Sequence, residues 1–424
     1  MTDRRAWFAR ALGVAALTVI LTAGTALPSG ASPARSASTG QQSSGPAAPY
    51  IVVLRDDAPA PGLVALFHTR LFDIHIDQIF EHALRGYVTN LTPDQVGRMQ
   101  ADPKVAYVEP DLMYHIDQAP QAVPTGIQRA NATDNPRLDI DGVDDVRVDA
   151  DVAVIDTGVY AHPDLNVVSR ADCSLALLCL SGSGGDDNGH GTHVAGTIGA
   201  IDNGTGVVGV APGARIHSVK VCNALGQCLT SAIVAGVDHV TAQASTIEAA
   251  NMSLGGTGTS TALRDAVTRS INAGVVYSVS AGNDRADSAA YQPANHPDVI
   301  TVSALADSDG EPGGVGGAPA CRPESRDDVL ADFSNYGASV EVAAPGVCIL
   351  STWNNGELNT ISGTSMAAPH VTGAAAVIAA AANPANRNDV LAIRQRIMST
   401  GNLGWTDDSG DGVHEPLLDV TALP

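Results

Sequence analysis

Four residues in this chain carry side chains that do little singly and a great deal together. "VAVIDTGV" closes an apolar run on Asp156, "GHGTHVAGT" carries His190, "SVSAGN" ends on Asn283, and "ISGTSMAAPH" places Ser365 at the head of a small-residue helix. Each has a structural reading: an acid after a strand caps a turn or helix, Asn after Ala-Gly is a turn residue, and Ser365 is a helix cap. Jointly they are the parts of a nucleophilic site. A serine hydroxyl is a weak nucleophile until a neutral imidazole accepts its proton. A buried carboxylate must then hold that imidazole in the right tautomer and stabilise its charged form. At a helix start, Ser365 has the positive end of the helix dipole beneath it, and its backbone N–H faces a developing oxyanion. The Asn283 amide supplies a second donor to the same oxyanion.

"DDNGHGTHVAGT" raises a competing chemistry, because His190 and His193 lie beside Asp186 and Asp187. A zinc peptidase of the H-E-x-x-H type requires i,i+4 histidines and a glutamate between them, and both are missing. "GTSMA" approaches the G-x-S-x-G elbow of esterases, but Ala367 replaces the last glycine and the histidine precedes the serine. His193 is therefore read as support within its helix, and Asp186 and Asp187 as residues shaping the rim of a cleft.

These residues need a scaffold. From Asp151 onward, short and nearly continuous apolar strands ("VAVIDTG", "IHSVKVC", "IEAANMSLGG", "VVYSVSAGN", "VITVSAL", "VEVAAPG") alternate with helical stretches such as "TSAIVAGVDHVTAQA" and "SMAAPHVTGAAAVIAAAA". That pattern predicts an α/β fold with a mostly parallel sheet covered on both faces. Sites in such sheets gather at the carboxyl ends of strands, where Asp156, Asn283 and "SLGG" all fall. Upstream lies a smaller α+β unit: strand "YIVVLRDD", helical run "LVALFHTRLFDIHIDQIF", strand "ALRGYVTNLT", helix "TPDQVGRMQAD" opened by Thr92 and Pro93, and strand "KVAYVEPD". The acidic, glycine-rich stretch 308–328 reads as a surface insertion.

The order Asp156, His190, Asn283, Ser365, with "DTG", "HGTHVAGT", "NMSLGG", "SAGN" and "GTSMAAPH", resembles the subtilisin family of serine proteases, proteinase K-like members included. The motifs extend over residues 151–373. The resemblance implies a three-layer α/β/α fold in which Ser365 is the nucleophile, His190 the general base and then acid, Asp156 the orienting carboxylate and Asn283 the oxyanion donor. Ser253, Leu254 and Gly255, facing Ser280, Ala281 and Gly282, would wall the pocket for the residue before the scissile bond. Residues 49–117 resemble a ferredoxin-like inhibitory propeptide domain, acting on a catalytic domain over 118–424 and cleaved from it between His115 and Pro120. A structural Ca²⁺ is implied at the Asp164 carboxylate, Asn203 and the carbonyls of Ile201, Thr205 and Val207, with Gln121. "DDSGDG" at 407–412 begins like an EF-hand loop but has Leu418 at the twelfth position, so it reads as an acidic turn.

Residues 1–31 read as a secretory signal: Arg4, Arg5 and Arg10, an apolar stretch from Ala11 to Ala26, then small residues at Ser29-Gly30-Ala31. Residues 32–48 are a Ser/Gly/Ala/Pro linker. In an exported chain the six cysteines are expected in disulfides. Proximity selects Cys173–Cys179, Cys222–Cys228 and Cys321–Cys348. A net charge of −22 argues against a nucleic-acid partner. The expectation is a secreted, monomeric serine endopeptidase made as a self-processing zymogen, free of the membrane once the signal is removed. It acts on protein and peptide substrates and is inhibited by its own propeptide. The alternative, a catalytically silent binding protein on the same fold, would be expected to have lost a triad residue.

Overall fold

The computed structural model describes residues 45–112, 120–174 and 178–424. The signal, most of the linker and most of the expected cleavage junction lie outside the described residues. The chain divides into two compact units, Met1–Ile116 and Asp117–Pro424.

The first unit runs β1 (Ala48–Leu54), α1 (Pro61–Phe72), β2 (Ile76–Phe80), β3 (Gly86–Leu91), α2 (Pro93–Gln100) and β4 (Val105–Pro110). Its antiparallel sheet has the order β2-β3-β1-β4, a ferredoxin-like arrangement. The single helix expected across "LVALFHTRLFDIHIDQIF" is in fact a helix followed by a strand. Asp73 adopts a left-handed φ of 52° and its N–H closes on the Thr69 carbonyl, which ends α1. Asp tolerates that conformation better than most residues. Beyond it Ile74 is buried and Ile76 half-buried, so the apolar period changes from helical to alternating. At α2, the Thr92 hydroxyl accepts the Gln95 N–H while the Gln95 side chain accepts the Thr92 N–H, a reciprocal cap. Val52, Leu54, Val64, Phe72, Tyr87, Leu91 and Met99 form this unit's own core.

The second unit continues with α3 (Thr125–Arg129), β5 (Asp151–Asp156), β6 (Val167–Asp172), β7 (Leu180–Ser181), α4 (His190–Gly199), β8 (Arg215–Lys220), α5 (Thr230–Thr241), β9 (Ala249–Met252) and β10 (Gly256–Thr257). There follow α6 (Thr261–Asn272), β11 (Val276–Ser280), β12 (Tyr291–Gln292), β13 (Ile300–Ala306), β14 (Val329–Leu330), β15 (Val342–Pro345), β16 (Ile349–Thr352), β17 (Leu358–Ile361), α7 (Thr364–Ala382) and α8 (Arg387–Thr400). Nine strands form the main sheet in the order β14-β13-β11-β9-β5-β8-β6-β7, with β15 also paired to β13. Only the β13–β14 and β6–β7 pairings are antiparallel. Every residue of β5, β11 and β13 is buried, which requires cover on both faces. Helices α4 and α7 pack on each other, as do α5 and α6, completing three α/β/α layers.

Two features depart from the sequence reading. Strand β6, "VVSRAD", is half polar and largely half-buried, with only Ala171 fully buried, so no apolar run marked it. The 308–328 stretch is not wholly superficial, since Ser325, Asp327 and Asp328 are buried at its end. There Arg129, 1% exposed, donates to Asp328 at 2.7 Å. A buried guanidinium requires such a partner, and the insertion supplies it. The three disulfides are Cys173–Cys179, Cys222–Cys228 and Cys321–Cys348, the pairing expected from proximity.

Candidate active site

Strand β5 delivers Asp156 at its carboxyl end with 1% exposure. Asp156 Oδ1 accepts from the Thr157 backbone N–H at 2.7 Å and from His190 Nδ1 at 2.8 Å. A carboxylate only accepts, so the imidazole proton sits on Nδ1 and leaves Nε2 free as a base. His190 is the first residue of α4, with a side chain 27% exposed. The residue before it, Gly189, has φ 112°, and a side chain there would meet the Trp353 ring at 2.3 Å, so only glycine fits this turn. His193, one turn on, is fully buried, and its Nε2 donates to the Ile349 carbonyl at 2.9 Å. Burial lowers its pKa to about 3 and keeps it neutral. It is a helix support, as expected.

Ser365 is the second residue of α7. Its hydroxyl donates to the Ser253 carbonyl at 3.2 Å. Asn283 is held by a residue that sequence reasoning passed over. The N–H and hydroxyl of Thr364 both donate to Asn283 Oδ1 at 2.9 Å. The carbonyl end of the amide is thus consumed, and the Nδ2 end is presented to the cleft. Behind Ser365 runs a second unforeseen chain: Thr372 Oγ1 donates to Asn251 Oδ1, Asn251 Nδ2 to Ser253 Oγ, and Ser253 Oγ to the Ser365 carbonyl at 2.6 Å. It ties the start of α7 to the end of β9. The only sequence signal for it was polar residues inside apolar runs.

One cavity is lined by Asp156, His190, Ser365 and Asn283 together with both expected walls, Ser253-Leu254-Gly255 and Ser280-Ala281-Gly282. Cys222 and Cys228 lie on its rim with Gly226 and Gln227, so a disulfide-closed loop borders the cleft. Asp187 pairs with Lys220 at 2.6 Å and remains about half exposed, consistent with a rim residue. Asp186 is different: it is buried, and it accepts from five donors.

The implied calcium ligands fit unevenly. Asp164 is 4% exposed, and burial pushes its carboxyl up to about 7 because only neutral donors face it, Val207 N–H and Asn203 Nδ2. The Gly204 and Gly206 carbonyls turn outward to the N–H groups of Gln121 and Ala122. A buried carboxylate faced only by neutral donors suits a hard cation. Gln121 is turned away, however, with Oε1 accepting from Asn203 N and Gly204 N and its amide facing Asp202. Among the described residues a separate acidic group, Asp307, Asp309 and Asp327, brings its carboxylate oxygens within 4.8 Å of one another.

Comparison with known proteins decides the family. The subtilase family profile matches residues 149–415, and the peptidase inhibitor I9 profile matches residues 49–117. The chain belongs to the subtilase family. This subtilase is 36% identical over 354 residues to an extracellular serine proteinase of Thermus sp. (strain Rt41A), covering 77% of this chain and 79% of that one. It is 34% identical over 358 residues to alkaline serine exoprotease A of Vibrio alginolyticus, covering 83% of this chain but 61% of the longer Vibrio protein. Among solved structures, a cold-adapted subtilisin-like serine proteinase aligns with TM-score 0.54 and 35% identity, over 66% of this subtilase and 90% of that chain. The subtilase is accordingly a serine endopeptidase with an I9-type propeptide domain.

Proposed function

We propose that this subtilase is a secreted endopeptidase made as a self-processing zymogen, with Ser365, His190, Asp156 and Asn283 carrying the chemistry. The observation that carries this reading is the 2.8 Å Asp156–His190 bond at a cavity that Ser365 and Asn283 also line. A catalytically silent relative would be expected to lack one of these four, and all are present.

In the reaction, His190 Nε2 takes the Ser365 hydroxyl proton as Oγ attacks the scissile carbonyl. The carbonyl oxygen becomes an anion, met by Asn283 Nδ2 and the Ser365 backbone N–H. Asp156 stabilises the imidazolium, which then protonates the leaving amine. Water deacylates the enzyme by the same path in reverse. An extended substrate pairs with the backbone of Ser253–Gly255 and Ser280–Gly282 as an added strand. Residues 49–117 serve as the inhibitory propeptide and 118–424 as the catalytic domain, with 1–31 the signal and 32–48 the linker. The signal pattern, and a relative named extracellular, support export.

The test is the pH profile of peptide hydrolysis. Protonated His190 is no base, so kcat/KM rises with pH through the imidazole pKa. Burial by itself would lower that pKa, but the charge and hydrogen bond of Asp156, followed by the charge of Asp186, outweigh it and raise it. The acid limb is therefore expected above the ordinary histidine value of about 6.5. A profile flat from about pH 5 to 9 removes His190 as the base.

Calcium, when bound, would hold the Asp164 loop by neutralising a buried carboxylate; the catalytic steps do not pass through it. Chelation is expected to lower the melting temperature by roughly 5–10 °C relative to calcium-saturated protein. Asp164→Asn should abolish the difference. An EDTA effect that survives Asp164→Asn and disappears in Asp307→Asn places the ion at the other acidic group. No EDTA effect at all removes the structural calcium.

A further inference from the structure

The proposed mechanism uses one carboxylate, and a second buried one beside it is unclaimed. Asp186, 9% exposed, lies in the loop before α4. Its Oδ1 accepts from Thr157 Oγ1 at 2.9 Å, Asn188 N at 3.0 Å and Gly189 N at 2.8 Å. Its Oδ2 accepts from Thr192 N at 3.0 Å and Thr192 Oγ1 at 2.5 Å. Thr157 Oγ1 accepts in turn from Gly191 N at 3.0 Å. Thr157 directly follows Asp156, while Gly189, Gly191 and Thr192 flank His190. One carboxylate therefore joins the strand end that holds the acid to the helix start that holds the base.

A neutral cap would satisfy the open N–H groups of a helix start equally well, and the N-cap residue here, Gly189, has no side chain to do so. What a neutral cap would not supply is charge. The charged groups facing His190 are Asp156 from β5 and Asp186 from the loop before α4. His193 on α4 itself is neutral, and Lys220 from β8 is occupied by the Thr157 carbonyl and Asp187. The imidazole thus sits in a field that favours its protonated form, and Asp186 contributes to that field without touching substrate.

We propose that Asp186 is a positioning residue of the triad, fixing His190 against Asp156 and adding a second negative charge that stabilises the imidazolium during acylation. This rests on the triad reading of the preceding subsection. It also assigns a role to a residue that the motif placed at the rim.

The experiment compares Asp186→Asn, Thr157→Val and Thr157→Ser with the wild type, each matured in trans by wild-type protease. Active sites are counted with a serine-directed phosphonylating reagent, and kcat, KM and the pH profile are measured on a peptide anilide. Asp186→Asn is expected to lower kcat about 10- to 100-fold with KM nearly unchanged. Its acid limb should move to lower pH, because the charge that raised the imidazole pKa is gone. Thr157→Val, which cuts the link but keeps the charge, should lower kcat with the limb in place, and Thr157→Ser should restore wild-type turnover. An Asp186→Asn enzyme that loses only thermal stability, with kcat and acid limb unmoved, overturns the proposal. If that variant does not mature, wild-type kcat in Thr157→Val overturns it equally. Absence of hydrolysis and labelling in the wild type would instead defeat the triad reading, leaving the two failures distinguishable.

Discussion

Ser365→Ala is expected to leave the precursor uncleaved and to reduce turnover on order of 10⁶-fold. In the proposed mechanism the hydroxyl is the only part of this residue that bonds to substrate carbon; its neighbours position it but offer no substitute nucleophile. The tether behind it runs through the Ser365 backbone carbonyl, which accepts the Ser253 hydroxyl at 2.6 Å. Alanine keeps that carbonyl, so the fold and the cleft should persist while the chemistry is lost. Mass spectrometry of the purified variant should show the 49–117 segment still covalently attached, and casein should remain intact. Self-cleavage by this variant would transfer the nucleophile elsewhere and end the triad reading.

Asp156→Asn tests the other end of the relay and is expected to cost about 10⁴ in kcat. An amide in this place can still accept the His190 Nδ1–H through its oxygen, but it has no charge with which to stabilise an imidazolium. Its NH₂ would occupy the place of Oδ2, which is buried and has no partner among the described residues. That donor would be left unsatisfied, or the amide would flip and turn a donor toward His190 Nδ1, forcing the wrong tautomer. The acid limb of any residual activity should move to lower pH, since the Asp156 charge helps raise the imidazole pKa above its ordinary value. Because Asp156 is only 1% exposed and acts through His190, the loss should appear in kcat. A drop of less than tenfold would show that the 2.8 Å bond is not part of catalysis.

The proposed catalytic residues stood out in the sequence because this chemistry constrains residue type and local context together. Asp156 ends an apolar strand, His190 and Ser365 begin helices, and Asn283 lies in the turn just after another strand; all four positions follow from short-range periodicity and turn chemistry. The α2 cap was legible for the same reason, since Thr92, Pro93 and Gln95 act on one another within a single turn. Where two local signals overlapped, the sequence misled. Around Asp73 a helical apolar period gives way to an alternating one within a few residues, and the residue that separates them is ordinary in composition.

By itself, then, the amino-acid sequence determined the fold class, most of the main elements and the disulfide pairs, and it supplied the order of the proposed reacting groups through short motifs that tolerate little variation. The tertiary structure decided how those groups are held. Thr364 orients Asn283 across a separation of 81 residues, Thr372 reaches Ser253 through Asn251, and Gln121 turns toward Asp202 instead of Asp164. Asp186 looked like a rim acid and proved to be the junction between the strand of Asp156 and the helix of His190. A hydrogen bond depends on where two backbones lie in space to within a few tenths of an ångström. No spacing along the chain carries that information when the partners come from different layers of the fold.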